Sequence, residues 1–166
     1  MSIVITPQQI VETAREWIGT PYHHQASLKG VGCDCIGLVR GVFYDLTGLR
    51  PDYIPPYTPD WGEYHDRETL YEGLKPFLTE LSLDHPIKAE RVTITQPGDV
   101  VLFRMRETSI AKHCGFVAFK DGQRTLIHAA TTYPVSEVPF DHGWRLRLAY
   151  AFRFPGVEPV DTLVEN

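Results

Sequence analysis

Gly32-Cys33-Asp34-Cys35-Ile36-Gly37-Leu38-Val39 is the stretch on which the reading of this chain turns. Turn chemistry, Gly30-Val31-Gly32, precedes it. Apolar residues at helical spacing follow it: Leu38, Val39, Val42, Phe43 and Leu46. Gly48 then stands where a helix ends in a left-handed glycine. Asp34 has the side chain of an N-cap, a carboxylate able to accept the orphan N–H groups of a first turn. The pattern predicts a helix at about 34–47 with Cys35 as its first residue. A thiol in that position feels the positive end of the helix dipole, which favours thiolate. The backbone N–H of Cys35 is also a natural oxyanion donor.

On either side of this stretch the chain divides into two kinds of pattern. Thr6-Pro7 opens a helix whose apolar face is Ile10, Val11, Ala14, Trp17 and Ile18, and Gly19-Thr20-Pro21 ends it. Residues 22–30 form a loop. Residues 49–65 carry Pro51, Pro55, Pro56 and Pro59 interleaved with Tyr53, Tyr57, Trp61 and Tyr64, a long surface loop whose aromatics need something to pack on. Arg67 to Leu81 reads as a helix, with Leu70, Leu74, Phe77, Leu78 and Leu81 on one face and a kink at Pro76. A short strand is expected at 90–94. Further strands follow at 100–104, 113–120, 125–130, 134–140 and 146–154, with a hairpin turn at Asp121-Gly122. Arg145, Arg147 and Arg153 alternate with apolar residues, as on the wet side of that last strand. Helices followed by short strands imply an α+β domain. The expectation is a single domain over 1–154, with the nucleophile helix packed on a mainly antiparallel sheet of five to six strands. A flexible acidic tail is expected at 155–166.

The bulk properties exclude several classes. The 166 residues suit one domain with a real core. The formal net charge of −5, with no clustered basic face, argues against nucleic-acid binding. No apolar run approaches the roughly 20 residues of a membrane span. Met1 to Pro7 lacks the basic and apolar regions of a secretory signal, so synthesis in the cytoplasm is expected. The three cysteines are an odd number, which argues against a disulfide framework.

Cys35 requires a base. His113 opens an apolar strand, and the hairpin returns His128 on the neighbouring strand, near-opposed to within a residue or two. Cross-strand neighbours lie within about 5 Å, so the two imidazoles can bond on one face, with His128 orienting His113. A lone histidine is more often a satisfied core residue. Two on paired strands, with a cysteine at a helix start, favour catalysis. Tyr22 reads either as a phenol donating to the thiolate or a substrate oxygen, or as a packed aromatic. The same residues offer zinc-type donors: Cys33, Cys35, Cys114, His113 and His128, with His23 and His24 nearby. Against a metal, the Cys33–Cys35 gap is shorter than usual, and Cys114 should point away from His113 on a strand. No metal or cofactor is therefore assigned, and Cys33 and Cys114 read as small buried hydrophobes. A redox pair at Cys33 and Cys35 lacks the Cys-x-x-Cys spacing.

Five segments in order carry a resemblance: Gly19-Thr20-Pro21-Tyr22, Asp34-Cys35-Ile36-Gly37-Leu38-Val39, Pro97-Gly98-Asp99-Val100-Val101-Leu102-Phe103, His113-Cys114-Gly115-Phe116-Val117 and Ile127-His128-Ala129. Together they resemble the NlpC family of papain-like cell-wall cysteine peptidases. The loop from Tyr22 to Cys33 is most similar to the branch found with phage tails and gene-transfer-agent particles. The resemblance implies a papain-like fold, with Cys35 as nucleophile, His113 as base and His128 as orienting residue. Tyr22 would be the active-site tyrosine, and Asp34 would help read the free amino end of the substrate. It implies a cysteine endopeptidase (a thiol protease) that hydrolyses peptidoglycan stem peptides in cell-wall degradation. A chain without a signal would reach the wall in the virion, as a component of a phage-like particle among tail proteins. Ile36 departs from the serine often found after the nucleophile. The rival expectations are a tail component that keeps the fold with little activity and docks through residues 51–64, an amidase at the sugar–peptide junction, and a zinc-binding module.

Overall fold

A computed structural model describes residues 4–51, 67–161 and 165. Helix α1, Pro7–Glu16, begins as the sequence predicts. The Thr6 hydroxyl accepts from Gln9 N, and the Gln9 side chain accepts from Thr6 N. Its buried face is Ile10, Val11 and Ala14, followed by Trp17 at the C-cap. Ile18 lies past the helix end and is exposed, not on that face. Helix α2, Cys35–Thr47, is capped by Asp34 and by Gly48 in the left-handed conformation. The two helices cross at Gly41, where a Cβ would come within 2.2 Å of the Trp17 ring. Before α2, a small hairpin pairs β1 (Ser27–Leu28) with β2 (Gly32–Cys33).

Six strands make one antiparallel sheet: β3 (Thr79–Leu81), β4 (Val100–Phe103), β5 (His113–Lys120), β6 (Gln123–Ala130), β7 (Tyr133–Pro139) and β8 (Leu148–Arg153). Their spatial order is β3-β8-β4-β5-β6-β7. The α+β architecture expected from element order is present. Alternation along β4 sends Val100 and Leu102 to the core beneath α1 and α2, and Val101 and Phe103 to the other face. That second face is closed by a 3-10 helix, Lys88–Ile94, and by helix α4, His142–Arg147. Both faces of the central strands are therefore dry, so β4 is buried at every position.

Three predicted elements differ. The helix expected over 67–81 stops early as α3, Thr69–Leu74, and residues 79–81 form the edge strand β3 on β8. Pro76 cannot continue a helix ladder, and β8 offers Thr79 to Leu81 an open edge. The strand expected at 90–94 is the 3-10 helix. The last strand begins at Leu148, and Arg145 and Arg147 lie on α4, capped by Asp141 through Trp144 N. Arg153 is not on a wet face either: it grips buried Asp99 with two bonds of 2.9 and 2.8 Å.

The segment after Phe154, expected to be a loose tail, is tied down where it is described. Val157 is buried, and Gln96 bonds both Glu158 O and Val160 N. Glu165 pairs with Arg124 and Arg145. The proline- and aromatic-rich stretch proposed as a surface loop lies, from residue 52 to 66, outside the described residues.

Candidate active site

Asp34 sets the position of Cys35. One carboxylate oxygen accepts Gly37 N at 2.8 Å and closes the first turn of α2. The other accepts Gln25 N at 2.7 Å and ties the 22–30 loop to the helix start. The loop is held close: a Cβ on Gly37 would lie 1.9 Å from Ala26 O, so only glycine fits. Ser27 Oγ donates to Gly37 O at 2.6 Å across the same junction. His24 Nδ1 is 3.9 Å from Asp34. Ile36 is buried among the apolar residues beneath the helix and also borders the cleft beside the thiol.

Tyr22 reaches the site by a strap of backbone bonds. Gly19 N donates to Val135 O and Val135 N to Thr20 O, which fixes the chain to β7. Cys33 N donates to Pro21 O, and His23 N to Cys33 O, each at 3.0 Å. Tyr22 is thereby bridged to Cys33, two residues from Cys35.

The two histidines meet as diagonal neighbours. The β5–β6 register pairs Phe116 with Ile127 and ends in a two-residue turn, Asp121-Gly122, with positive φ at both positions. Extending that register sets His128 opposite Gly115, with His113 two residues along. Gly115 has no room for a Cβ, which would lie 2.7 Å from Ile127 O and 3.0 Å from His128 Cβ. The strands therefore close tightly at this point, and His113 Nε2 lies 2.8 Å from His128 Nδ1. Phe103 and Trp144, themselves in contact, both lie near-parallel to the His113 ring, with centroids 6.0 and 5.5 Å away. Tyr133 Oη lies 3.3 Å from His128 Nε2.

Cys35 sits over the start of β5, with Sγ 4.0 Å from Lys112 O. Both His113 and Cys114 reach it, although they leave the strand on opposite faces. The Cys114 thiol donates to Cys35, and His113 adds a hydrogen bond and its charge. Together they outweigh burial and pull the Cys35 thiol down to about 5. Burial and the Cys35 charge push Cys114 well up. Burial, with Asp34 and Cys35, pushes Cys33 up to about 12. Of the three cysteines, Cys35 alone is poised as thiolate. Burial and the Cys35 charge raise Tyr22 to about 12, so its phenol keeps a proton to donate. Burial and His113 hold His128 down to about 3, so it is neutral at physiological pH.

These groups open into a cleft of about 400 Å³. Tyr22, Asp34, Cys35, His113 and His128, each singled out from sequence, all line it. Sequence reasoning missed Cys114 as the partner of the thiol, Tyr133 behind His128 and Trp144 over His113. Tyr133 lies just across the turn from His128, but nothing in its spacing marks it. Among the described residues, no three His, Cys, Asp or Glu side chains are grouped to hold a metal ion.

No protein-family model matches the chain, and no curated protein matches it. Solved structures do. The NlpC/p60 domain of the peptidoglycan hydrolase SagA superposes with a TM-score of 0.58 at 21% identity, over 90% of this chain and 100% of that one. The chain has the NlpC/p60 fold. An NlpC/p60 family protein from Bacillus cereus ATCC 10987 gives 0.57 at 19% identity, over 91% of this chain and 41% of that one. An N-acetylmuramoyl-L-alanine amidase from Bacteroides uniformis ATCC 8492 gives 0.58 at 13%, over 87% and 98%. This is the papain-like arrangement expected from the sequence, with the cysteine at the head of a helix laid on an antiparallel NlpC/p60 sheet.

Proposed function

We propose that this protein belongs to the NlpC/p60 peptidases and is a cysteine endopeptidase acting on peptidoglycan stem peptides. The observation that carries the proposal is the depressed Cys35 thiol beside a histidine whose far nitrogen is held by His128. With Nε2 committed to His128, Nδ1 is the His113 nitrogen left for Cys35. The thiolate attacks the amide carbonyl. The Cys35 N–H, in a first turn without intrahelical acceptors, and the Tyr22 phenol stabilise the oxyanion. Imidazolium His113 protonates the departing amine through Nδ1–H, leaving a thioester on Cys35. Neutral His113 then takes a proton from water, whose hydroxide releases the acyl group. Asp34 borders the cleft, and its negative charge there would favour a substrate ammonium.

Cys35→Ala should abolish release of stem-peptide fragments from purified peptidoglycan. Undiminished release would reject the assignment. The likeness to a Bacteroides uniformis amidase favours a second reading, cleavage of the sugar–peptide junction. Mass spectrometry of the fragments separates the two, because an amidase frees an intact stem and an endopeptidase splits it. We further propose delivery in a phage-like tail or gene-transfer-agent particle, on the strength of the Tyr22–Cys33 loop. The chain should then be found by mass spectrometry in purified particles, and its absence there would oppose this placement.

A further inference from the structure

A second cavity, of about 590 Å³, lies between the 3-10 helix, the β4–β5 loop and α4. Four cations line it: Lys88, Arg91, Arg104 and Arg147, against one anion, Glu107. That excess runs against a chain whose formal net charge is −5. Two of the cations are matched. Lys88 Nζ is 3.6 Å from Glu107, and Arg104 pairs with Glu68 while bonding Ser109 O and Tyr150. Arg91 and Arg147 have no ion pair among the described residues. Arg91 Nε is moreover buried with no hydrogen-bond acceptor. Its guanidinium thus lines the cavity without a carboxylate partner and with one donor left unmatched.

The cavity adjoins the catalytic cleft. Met105 forms part of both walls. Helix α4 turns Trp144 toward His113 on one side and Leu146 and Arg147 toward the second cavity on the other. The cationic cavity is thus the next opening reached from Cys35 on passing Met105. A planar guanidinium offers paired donors that match the two oxygens of a carboxylate.

We propose that this cavity is a substrate subsite, in which Arg91 and Arg147 bind a free carboxylate of the stem peptide lying in the catalytic cleft. This rests on the peptidase reading above.

The test is calorimetric titration of Cys35→Ala protein with two synthetic stem peptides, one with its free carboxylates and one with them amidated. The free-carboxylate peptide should bind at least tenfold more tightly, and Arg91→Gln with Arg147→Gln should erase the difference while leaving the amidated peptide's Kd unchanged. Should the double variant fold poorly, Arg147→Gln alone, on a surface helix, should still reduce the discrimination several-fold. Raising the salt concentration should narrow it in the parent protein. Equal affinity for the two peptides, binding of neither, or discrimination that survives loss of the guanidiniums would overturn the subsite. Failure of the active protein to cleave either peptide would reject the peptidase reading instead, and the titration would still decide whether the cavity takes a carboxylate.

Discussion

Replacing Cys114 by alanine should make the proposed nucleophile, Cys35, less acidic without touching any residue proposed to contact the substrate. Cys114 is fully buried under α2, and its thiol is the largest cause of the depressed Cys35 value. A hydrogen bond to a charged group is worth about 1.5–3 kcal/mol net. A thiol is a weak donor, so the lower end applies. At 1.36 kcal/mol per pKa unit, losing it should raise the pH at which Cys35 ionises by about one pH unit. The assay is the pH dependence of iodoacetamide alkylation, read by mass spectrometry on the peptide containing Cys35. Cys33 shares that peptide, but it is buried and held protonated, so fragment spectra assign the label to Cys35. In the parent protein the acid limb should lie near 5, and in Cys114→Ala about one pH unit higher. Cys114→Ser, which restores a donor, should recover most of the displacement. An acid limb that stays put in the alanine variant would refute the idea that Cys114 helps to hold the thiolate.

Two further outcomes follow from the histidine pair. His128 is held near 3, below its ordinary 6.5, so as pH falls the unfolded chain takes up this proton first. Stability present above about 6.5 is then lost on acidification towards 3, by about 2 kcal/mol between pH 7 and 5. Urea unfolding at pH 7 and pH 5 should show this loss, and His128→Asn should flatten it; parallel losses in both proteins would refute the assignment. Gly115→Ala should force β5 from β6 where the histidines meet, at a cost of about 1–3 kcal/mol. A lowered Tm with a large drop in fragment release is expected, and unchanged values for both would show that the strands close less tightly there than the structure indicates.

The parts of this fold that are local in sequence were legible from it. Asp34 and Gly48 bracket α2 because a cap is a bond between neighbours, readable from residue type and spacing. Asp121-Gly122 fixes the β5–β6 turn, and the turn fixes the register that brings His113 to His128. What was missed depends on partners remote in the chain. Leu70, Leu74, Leu78 and Leu81 fit a helical face, yet β8 claims residues 79–81 as an edge strand. Arg145-Leu146-Arg147-Leu148 alternates like a strand, but the Asp141 cap starts a helix, and that helix is what covers Phe103 and His113 with Trp144. Cys114 was correctly placed on the opposite side of the strand from His113. Because α2 begins directly over the start of β5, a side chain from either face of the strand reaches Cys35 there.

The hydrogen arrangement around His128 bears directly on the proposed proton transfer. A neutral His128 has one ring hydrogen and two neighbours, His113 on Nδ1 and Tyr133 on Nε2. With the hydrogen on Nδ1, His128 donates to His113 Nε2. A neutral His113 must then carry its own hydrogen on Nδ1, facing Cys35, and has no lone pair there to accept a proton. With the hydrogen on Nε2, His128 donates to Tyr133 Oη and accepts from His113 Nε2–H. His113 Nδ1 is then free to take the thiol proton and later return it to the leaving amine. Only the second arrangement supports both half-reactions, and it requires His128 to remain neutral when His113 becomes charged. The burial that holds His128 down to about 3 is therefore a condition of the proposed mechanism. A charged His128 would offer His113 no acceptor and would repel the imidazolium on which the proposed acylation depends.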